Sequence, residues 1–455
     1  MDTFDIENGK FQSKETIDWL SIQLKPTFDL IEKRLEHRKK GAKLLFIKTL
    51  VDGDKVQQMI IKPFFEMDTE DDMRAYLSSL PDQQETTSKE QILGELTKGS
   101  VVVGIHGLIF MFDMKTVNTN TVPPTLLETT IQGPQMSLSE DIQTNVNLIR
   151  HRYHQPSLSV EMFEVGEKSN QSLAVIYDRD LVNQAVLQII KTKISNLKEP
   201  IVQSTAELQR MMNEEKYSLF PSMIITERTD RIVYNLSGGK VVLLLDGNPT
   251  TIIAPTVFFD FMSAMDDNYN SYWVTKFSRI IRYMGLFTSL ILPGFYVAST
   301  SFNPEILQSQ LALSVAGSRL GVPYPSYMEV LFMLIFMELL IEASIRLPRV
   351  ISGAATTVGG LILGTAATEA TLASNIMIIV VAAVAICNFA IPISGLNYAV
   401  RVLKYIVIFF ASIAGVAGLL LSFIGIVMYL THLRSFGEPY LKLYMQRKTD
   451  EKKGM

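Results

Sequence analysis

The stretch ISGAATTVGGLILGTAATEATLASN, residues 351–375, contains a single charged residue, Glu369. Roughly twenty apolar residues in a helix suffice to cross the hydrocarbon layer of a membrane, so this stretch predicts a membrane span. One helical face of the span consists of small residues, namely Gly353, Thr357, Gly360, Gly364 and Ala367. Small residues let neighbouring backbones approach closely, so tight helix packing accounts for this composition.

The same span has a second interpretation, in which it lines a narrow path through an oligomer. Hydroxyl groups can face such a path, and bulky apolar side chains can form a dry constriction in it. The candidate pore residues are Thr357, Val358, Leu361, Thr365 and Glu369. Composition alone leaves packing and pore lining both open.

The preceding stretch, FMELLIEASIRLPRV at residues 336–350, carries four ionisable residues: Glu338, Glu342, Arg346 and Arg349. The first three recur every four residues and form a slanting stripe on a helix, in which Glu342 and Arg346 can pair. The two arginines flank Pro348, where the helix should end, and predict an anchor at the membrane surface. Because a charge near mid-membrane costs at least about 2.5 kcal/mol, Glu338 needs an internal partner or a water-filled path unless it snorkels.

Further apolar stretches make the last third of the chain a polytopic membrane region. The predicted spans are residues 284–301, 327–347, 352–371, 374–395 and 404–431. Basic residues flank them as the positive-inside rule requires, including Arg282 before the first span and Arg401 and Lys404 after the fourth. Five simple crossings would place the C-terminus outside, in conflict with the basic tail, unless the last stretch is broken at GVAG, residues 415–418.

The segment between the first two spans, residues 301–325, has apolar residues at helical spacing and prolines near both ends. This pattern predicts an amphipathic helix on the outer membrane surface. The candidate interfacial residues are Asn303, Pro304 and Glu305.

The part of the chain before Arg282 has the composition of a soluble region. The whole chain has 455 residues and a net charge of −4, and its charged residues are dense in this part. Because the first forty residues are polar, the sequence shows no secretory signal, and we expect this region in the cytoplasm. The predicted fold is multidomain, with a soluble α/β region of two related subdomains followed by an all-α membrane domain. The predicted boundaries are 1–125, 126–275, 276–435 and a basic tail at 436–455.

A repeated pattern supports the two related subdomains. LTKGSVVVGIHG from Leu96 and LSGGKVVLLLDG from Leu236 align without a gap, and each predicts a hairpin with a Gly-containing turn. Strand-turn-helix patterns also occur twice, with strands predicted at 44–48 and 173–177. Chance similarity of short apolar strands is the alternative explanation.

The sequence shows no active site. It lacks phosphate-binding glycine loops and paired-Cys metal motifs, and its lone Cys387 lies in a predicted span. His151 and His154 are three residues apart, but they have no third ligand nearby. We therefore expect no enzyme activity, cofactor, metal ion or nucleic-acid partner.

The chain resembles the A subunit of the GerA-type spore germinant receptors of endospore-forming bacteria. The resembling segments include EDIQTNVNLIRHRY, TERTDRIVYNLSGGKVVLLLDGNPTTIIAP, LPGFYVASTSFNPEIL, EASIRLP and SFGEPYL, which occur in family order over nearly the whole chain. Two departures stand out: Thr365 occupies a position where the family commonly has Gln, and the tail after Leu441 is short and basic. The first departure puts in doubt any pore role carried over to Thr365.

The resemblance implies a receptor subunit of the spore inner membrane that works with a transporter-like B subunit and a lipoprotein C subunit. In this family the A subunit is expected to form a ring, of five copies, that conducts monovalent cations when a nutrient binds. Glu338 and Glu342 would then hold helices together or favour cations, and Arg346 and Arg349 would fix the cytoplasmic end. A non-conducting signalling scaffold and a secondary transporter are the alternative functions.

Overall fold

Two five-stranded sheets form the soluble part of the protein. The computed structural model describes residues 6–442 except 39, 82, 85–87, 106, 118–121, 126, 127, 129, 131 and 216, with side chains from residue 15 onward except at 349 and 350. The first sheet contains β1 (Leu30–His37), β2 (Lys40–Ile47), β3 (Gln83–Gln84), β4 (Ser100–Ile105) and β5 (Leu108–Asp113). The second contains β6 (Leu158–Val165), β7 (Gln171–Asp178), β8 (Ile224–Thr226), β9 (Val241–Leu245) and β10 (Thr251–Ala254).

The two sheets have the same topology. Their strand orders are β1-β2-β4-β5-β3 and β6-β7-β9-β10-β8, and all neighbouring strands pair antiparallel. Because each strand of the first sheet has a counterpart at the same place in the second, the prediction of two related α/β subdomains is confirmed. The aligned segments both supply the hairpins, β4–β5 and β9–β10. We call the units that contain these sheets the first and the second subdomain.

Helices cover both sheets. In the first subdomain they are α1 (Ile6–Leu24), α2 (Gly53–Val56), a π-turn (Gln57–Ile61), α3 (Lys62–Glu66), α4 (Glu70–Ser79) and α5 (Lys89–Leu96). In the second they are α6 (Ile142–Arg150), α7 (Gln184–Ser195), α8 (Thr205–Met212), α9 (Thr229–Leu236) and α10 (Phe258–Phe261). Side-chain caps explain why two of them start where they do, since Asp52 accepts from the amide of Asp54 at 3.0 Å and Asn183 from that of Ala185 at 3.0 Å.

A buried ion pair joins the two subdomains. The guanidinium of Arg150 in α6 donates to both carboxylate oxygens of Asp29 at 2.8 and 2.7 Å. Burial alone would raise the pKa of Asp29, but the Arg150 charge and hydrogen bonds from Thr27 and Thr49 hold it below its ordinary value. Nearby, the amide of Asn147 donates to the backbone oxygens of Thr49 and Thr116. These contacts fix the first subdomain to the second.

The C-terminal part of the chain is helical. Its helices are α11 (Tyr272–Ser301), α12 (Ser309–Ser318), α13 (Ser326–Arg346), α14 (Arg349–Glu369), α15 (Asn375–Phe389) and α16 (Ser394–His432). In the described residues, α11, residues 351–369 of α14 and α16 are long and apolar enough to cross a membrane, whereas α15 is apolar but shorter. α13 has the required length and carries Glu329, Glu338, Glu342 and Arg346. The predicted amphipathic segment contains the short helix α12 and a 3-10 turn, Pro304–Ile306.

α16 is bent sharply at Gly415, so that its two halves form an antiparallel hairpin. Gly415 has φ 60° and ψ −135°, a conformation that L-residues with a side chain rarely adopt. After the bend the backbone passes so close to the first half that a Cβ on Gly418 would lie 2.0 Å from the carbonyl oxygen of Phe410. Further along, Gly294 of α11 packs against Val407 of the first half and Leu419 of the second.

Both ends of the membrane region attach to the second subdomain. At its start, Arg282 donates to Asp267 at 2.7 and 2.8 Å, and Arg279 donates to the same carboxylate at 3.1 Å. At its end, strands β11 (Arg434–Ser435) and β12 (Glu438–Pro439) follow α16. The ring of Phe436 is buried in the core of the second subdomain, and the hydroxyl of Tyr440 donates to the carbonyl of Pro221 at 2.8 Å.

Both ends of the helical region therefore lie on the same side, against the second subdomain. We call this the near side, and the side of Phe302, which contacts Gly415, the far side. α11, α13, α14, α15 and the two halves of α16 run alternately away from and toward the second subdomain. The bend at Gly415 breaks the last stretch into two halves, which is an alternative that the sequence left open.

Candidate functional site

α14 is the membrane helix with the least packing inside the protomer. Of its described side chains, only Ala367 is buried. Its packed side faces α13, where Leu340 lies against Gly359 and Gly360, and the hydroxyl of Ser352 donates to the carbonyl of Ser344 at 2.8 Å. No atom outside the helix lies within 4 Å of a Cβ placed on Gly353 or Gly364. The small-residue face is therefore only partly occupied.

The candidate pore residues all lie on the opposite, exposed side of α14. At 100° per residue, Thr357, Val358, Leu361, Thr365 and Glu369 fall within an arc of about 120° that excludes Gly359 and Gly360. Each of the five is exposed, and Leu361 is 68% exposed. The hydroxyls of Thr357 and Thr365 donate to the carbonyls of Gly353 and Leu361, four residues earlier, at 2.9 and 3.0 Å. Their oxygen lone pairs remain free to accept.

Glu338 has its internal partners on the first half of α16. Its carboxylate accepts from Arg401 Nε at 2.8 Å and from Lys404 Nζ at 2.7 Å. Lys404 is 0% exposed. Glu338 lies twelve residues from the far-side end of α13, or about 18 Å at 1.5 Å per residue, which is close to mid-membrane. This cluster, Glu338 with Arg401 and Lys404, is called the charge cluster below.

In the structure, Arg401 and Lys404 have a different role from the one that the sequence suggested. Arg401 and Lys404 are not flanking anchors of a span, because they lie inside the helix bundle and pair with Glu338. The cluster contains two cations and one carboxylate, so its formal charge is positive. It holds α13, and with it α14, against α16.

The rest of the charged stripe lies on the surface. Arg346 donates to Glu342 at 3.1 and 2.7 Å, and both side chains are more than half exposed. The side chain of Arg349 lies outside the described residues. At the far side, Asn303 donates to Glu305 at 2.8 Å and its carbonyl oxygen lies next to Gly415, whereas Pro304 begins the 3-10 turn.

Sequence reasoning missed a second buried carboxylate, Glu329. It is 0% exposed and accepts from the backbone amide and the hydroxyl of Ser374, each at 2.7 Å, and from Arg319 at 3.1 Å. Tyr296 of α11 contacts the same carboxylate. Four helices thus meet at this residue near the far side. Its position in the first turn of α13 resembled an ordinary helix start, and its cationic partner lies before that helix begins.

The two histidines of the soluble region lie close to each other in the structure. The rings of His151 and His154 lie 6.0 Å apart between centroids. Within the described part of the chain, no three His, Cys, Asp or Glu side chains come together as potential ligands.

These features define a polytopic membrane protein with a soluble region of two α/β subdomains. The family described as Bacillus/Clostridium GerA spore germination protein matches residues 18–455, and the chain belongs to this family. Its resemblance to germinant receptor A subunits is therefore confirmed, and the protein is a membrane protein of the family involved in spore germination.

Individual relatives match over most of their length. Spore germination protein A1 of Bacillus subtilis (strain 168) is 31% identical over 87% of this chain and 82% of its own. Spore germination protein GerLA of Bacillus cereus is 28% identical over 87% of this chain and 82% of its own. The crystal structure of the N-terminal domain of the A subunit of the Bacillus megaterium spore germinant receptor GerK3 matches 54% of this chain and 95% of that chain, with a TM-score of 0.42 and 18% identity.

Proposed function

We propose that this chain is the A subunit of a nutrient germinant receptor in the spore inner membrane, and that copies of it form a ring that conducts monovalent cations. The observation that carries the proposal is the exposed side of α14. A helix long and apolar enough to cross a membrane presents Thr357, Val358, Leu361 and Thr365 away from its own protomer. A ring of copies would place this side at the central axis.

The chemistry of this side suits a gated cation path. Threonine oxygens that donate their protons within the helix keep lone pairs for a cation. Val358 and Leu361, between the two threonines, form a dry constriction that stops conduction when the ring is closed. Glu369, at the far-side end of α14, adds a carboxylate that attracts cations to the entrance.

The partners and the orientation follow from the same proposal. A transporter-like B subunit binds the nutrient and a lipoprotein C subunit lies on the outer face. Nutrient binding then shifts the ring toward an open state, because the nutrient-bound receptor favours that state. Lys276, Arg279 and Arg282 lie in the N-terminal part of α11, before its apolar stretch, so the near side and the soluble subdomains face the cytoplasm.

Potassium flux from liposomes tests the proposal. Leu361→Ala removes the largest apolar side chain of the proposed constriction, and we expect it to raise flux about tenfold or more, since loss of a dewetted barrier of about 1.4 kcal/mol changes a rate tenfold. The matched control is Ile386→Ala on α15, whose side chain is 71% exposed and is not one of the candidate pore residues. Equal, unraised flux in both variants would favour a non-conducting scaffold.

A further inference from the structure

An apolar cavity that is open on one side lies where the membrane helices meet the second subdomain. Its volume is about 300 Å³, at the small end of ligand-binding cavities. Its walls come from α11, both halves of α16, α10 and the C-terminal segment. Leu290, Leu403 and Ile426 line the helical side, and Phe220 and Phe258 form the floor on the second subdomain.

The cavity opens at the depth of lipid tails. On α11 the lining begins at Tyr283, next to Arg282, and continues through Leu286, Phe287 and Leu290 into the apolar part of the helix. We place the near edge of the membrane at Arg282, which is bound to Asp267. Phe287 is 46% exposed and Val427 39% exposed, so the mouth lies between α11 and the second half of α16. The rings of Phe287 and Phe423 lie 6.1 Å apart beside it. The mouth therefore faces the near leaflet and not water.

The chemistry of the lining selects the occupant. All fourteen lining residues are apolar or aromatic, and none carries a charge. Cavities of this kind stay dry and bind apolar molecules, and one of about 150 Å³ accepts benzene. The cavity is about twice that size, which suits a segment of one acyl chain and excludes a headgroup.

We propose that this cavity binds an acyl chain of a phospholipid from the near leaflet. The bound chain fills the space between α11, the hairpin and the second subdomain, and so stabilises the attachment of the hairpin to that subdomain. This binding requires only that the protein is embedded in a membrane, and it is independent of cation conduction.

Photolabelling of the full-length protein tests the proposal. The protein is reconstituted in phosphatidylcholine liposomes that contain a trace of phosphatidylcholine with a diazirine on one acyl chain, and labelled positions are mapped by mass spectrometry. We expect labelling at Phe287, Phe423 and Val427 to exceed that at Ile379 and Ile386 of α15, which are exposed and do not line this cavity. The excess should be about threefold, because cavity and bilayer are both apolar and only packing distinguishes them.

Two variants separate a bound chain from ordinary lipid contact. Leu403→Trp fills the interior, and Val427→Trp blocks the mouth with little demand on folding, because that side chain is partly exposed. Either variant should abolish the excess, while Ile386→Trp should preserve it. Labelling of the cavity residues equal to that of Ile379 in the unaltered chain, or an excess that persists in a folded Val427→Trp protein, would overturn the proposal.

Discussion

Glu338 joins α13 to the first half of α16 through the charge cluster. Glu338→Gln would leave Lys404, which is 0% exposed, and Arg401 without a counter-charge in the bundle. Removing one partner of a buried pair typically costs about 3–5 kcal/mol. We expect a large fall in the thermal unfolding temperature of the detergent-purified protein.

Glu342→Gln provides the control for this change. It removes an equivalent carboxylate from an exposed pair, and such pairs contribute about 0–1 kcal/mol. If both substitutions lowered the unfolding temperature equally, the charge cluster would have no special structural role.

Asp29 makes the joint between the subdomains sensitive to acid. Its pKa is lower in the folded protein than the ordinary value of about 3.9, so the ion pair with Arg150 stabilises the fold above that value. As pH falls through the lowered folded pKa, the carboxylate is protonated and this stability is lost. We expect circular dichroism to show little change in unfolding temperature from pH 7 to pH 5 on account of this pair, and a fall below about pH 4.

Asp29→Asn separates this effect from general acid denaturation. The variant should be less stable than the unaltered protein at pH 7, and the gap should narrow as the pH falls below about 4. A gap that stays constant over the whole range would show that the charge of Asp29 contributes nothing.

For single residues, the sequence predicted which charged side chain requires an internal partner, but it did not predict which residues supply that partner. That Glu338 required compensation followed from the cost of a charge in a membrane. Its partners lie 63 and 66 residues later, and only helix packing brings them together. The sequence did not predict that Glu329 is buried, because its carboxylate accepts hydrogen bonds from a serine and an arginine of other segments.

Among the helices and strands, the α16 hairpin is the element whose packing we expect to be disturbed most by the addition of a single carbon atom. Gly418→Ala places a Cβ against the backbone carbonyl of Phe410, where no side-chain movement can relieve the contact. We expect the halves to separate, with exposure of the segment after Leu433 to protease and a cost of about 1–3 kcal/mol.

Gly425→Ala is the matched control in the same hairpin. Nothing lies within 4 Å of a Cβ at that position, and Ala favours a helix over Gly by about 1 kcal/mol. This variant should keep the protease resistance of the unaltered protein. Resistance retained in Gly418→Ala as well would mean that the two halves do not approach as closely as the structure has them.

At the level of helices and strands, the sequence predicted the secondary structure better than it predicted the direction in which the chain continues after a break. The strand-turn-helix patterns followed from periodicity, and most spans followed from the length of their apolar stretches. The GVAG sequence indicated a break at Gly415, but glycine permits many conformations, and the reversal is set by packing of both halves on α11.

For the whole molecule, the arrangement of the membrane helices determines which side of α14 is packed and which is exposed. The sequence alone could not determine this. Composition left packing and pore lining open for the Gly-rich span, and in the structure the two sides of α14 differ in their contacts and exposure. One side contacts Leu340 of α13, and the other carries the candidate pore residues. Which side is left unpartnered depends on where α13 lies, which no local pattern reveals. Whether that side lines a pore remains our proposal.

Thiol modification during flux measurement tests that proposal most directly. In a Cys387→Ala background, Leu361→Cys is reconstituted in potassium-loaded liposomes and treated with a charged, water-soluble methanethiosulfonate. Ile379→Cys on α15 is the control, because that side chain is exposed but is not one of the candidate pore residues, and a charged reagent does not enter lipid. We predict that the reagent lowers potassium flux through the Leu361→Cys protein and leaves the control unchanged; flux that is absent, or equally insensitive in both proteins, would contradict a cation path lined by α14.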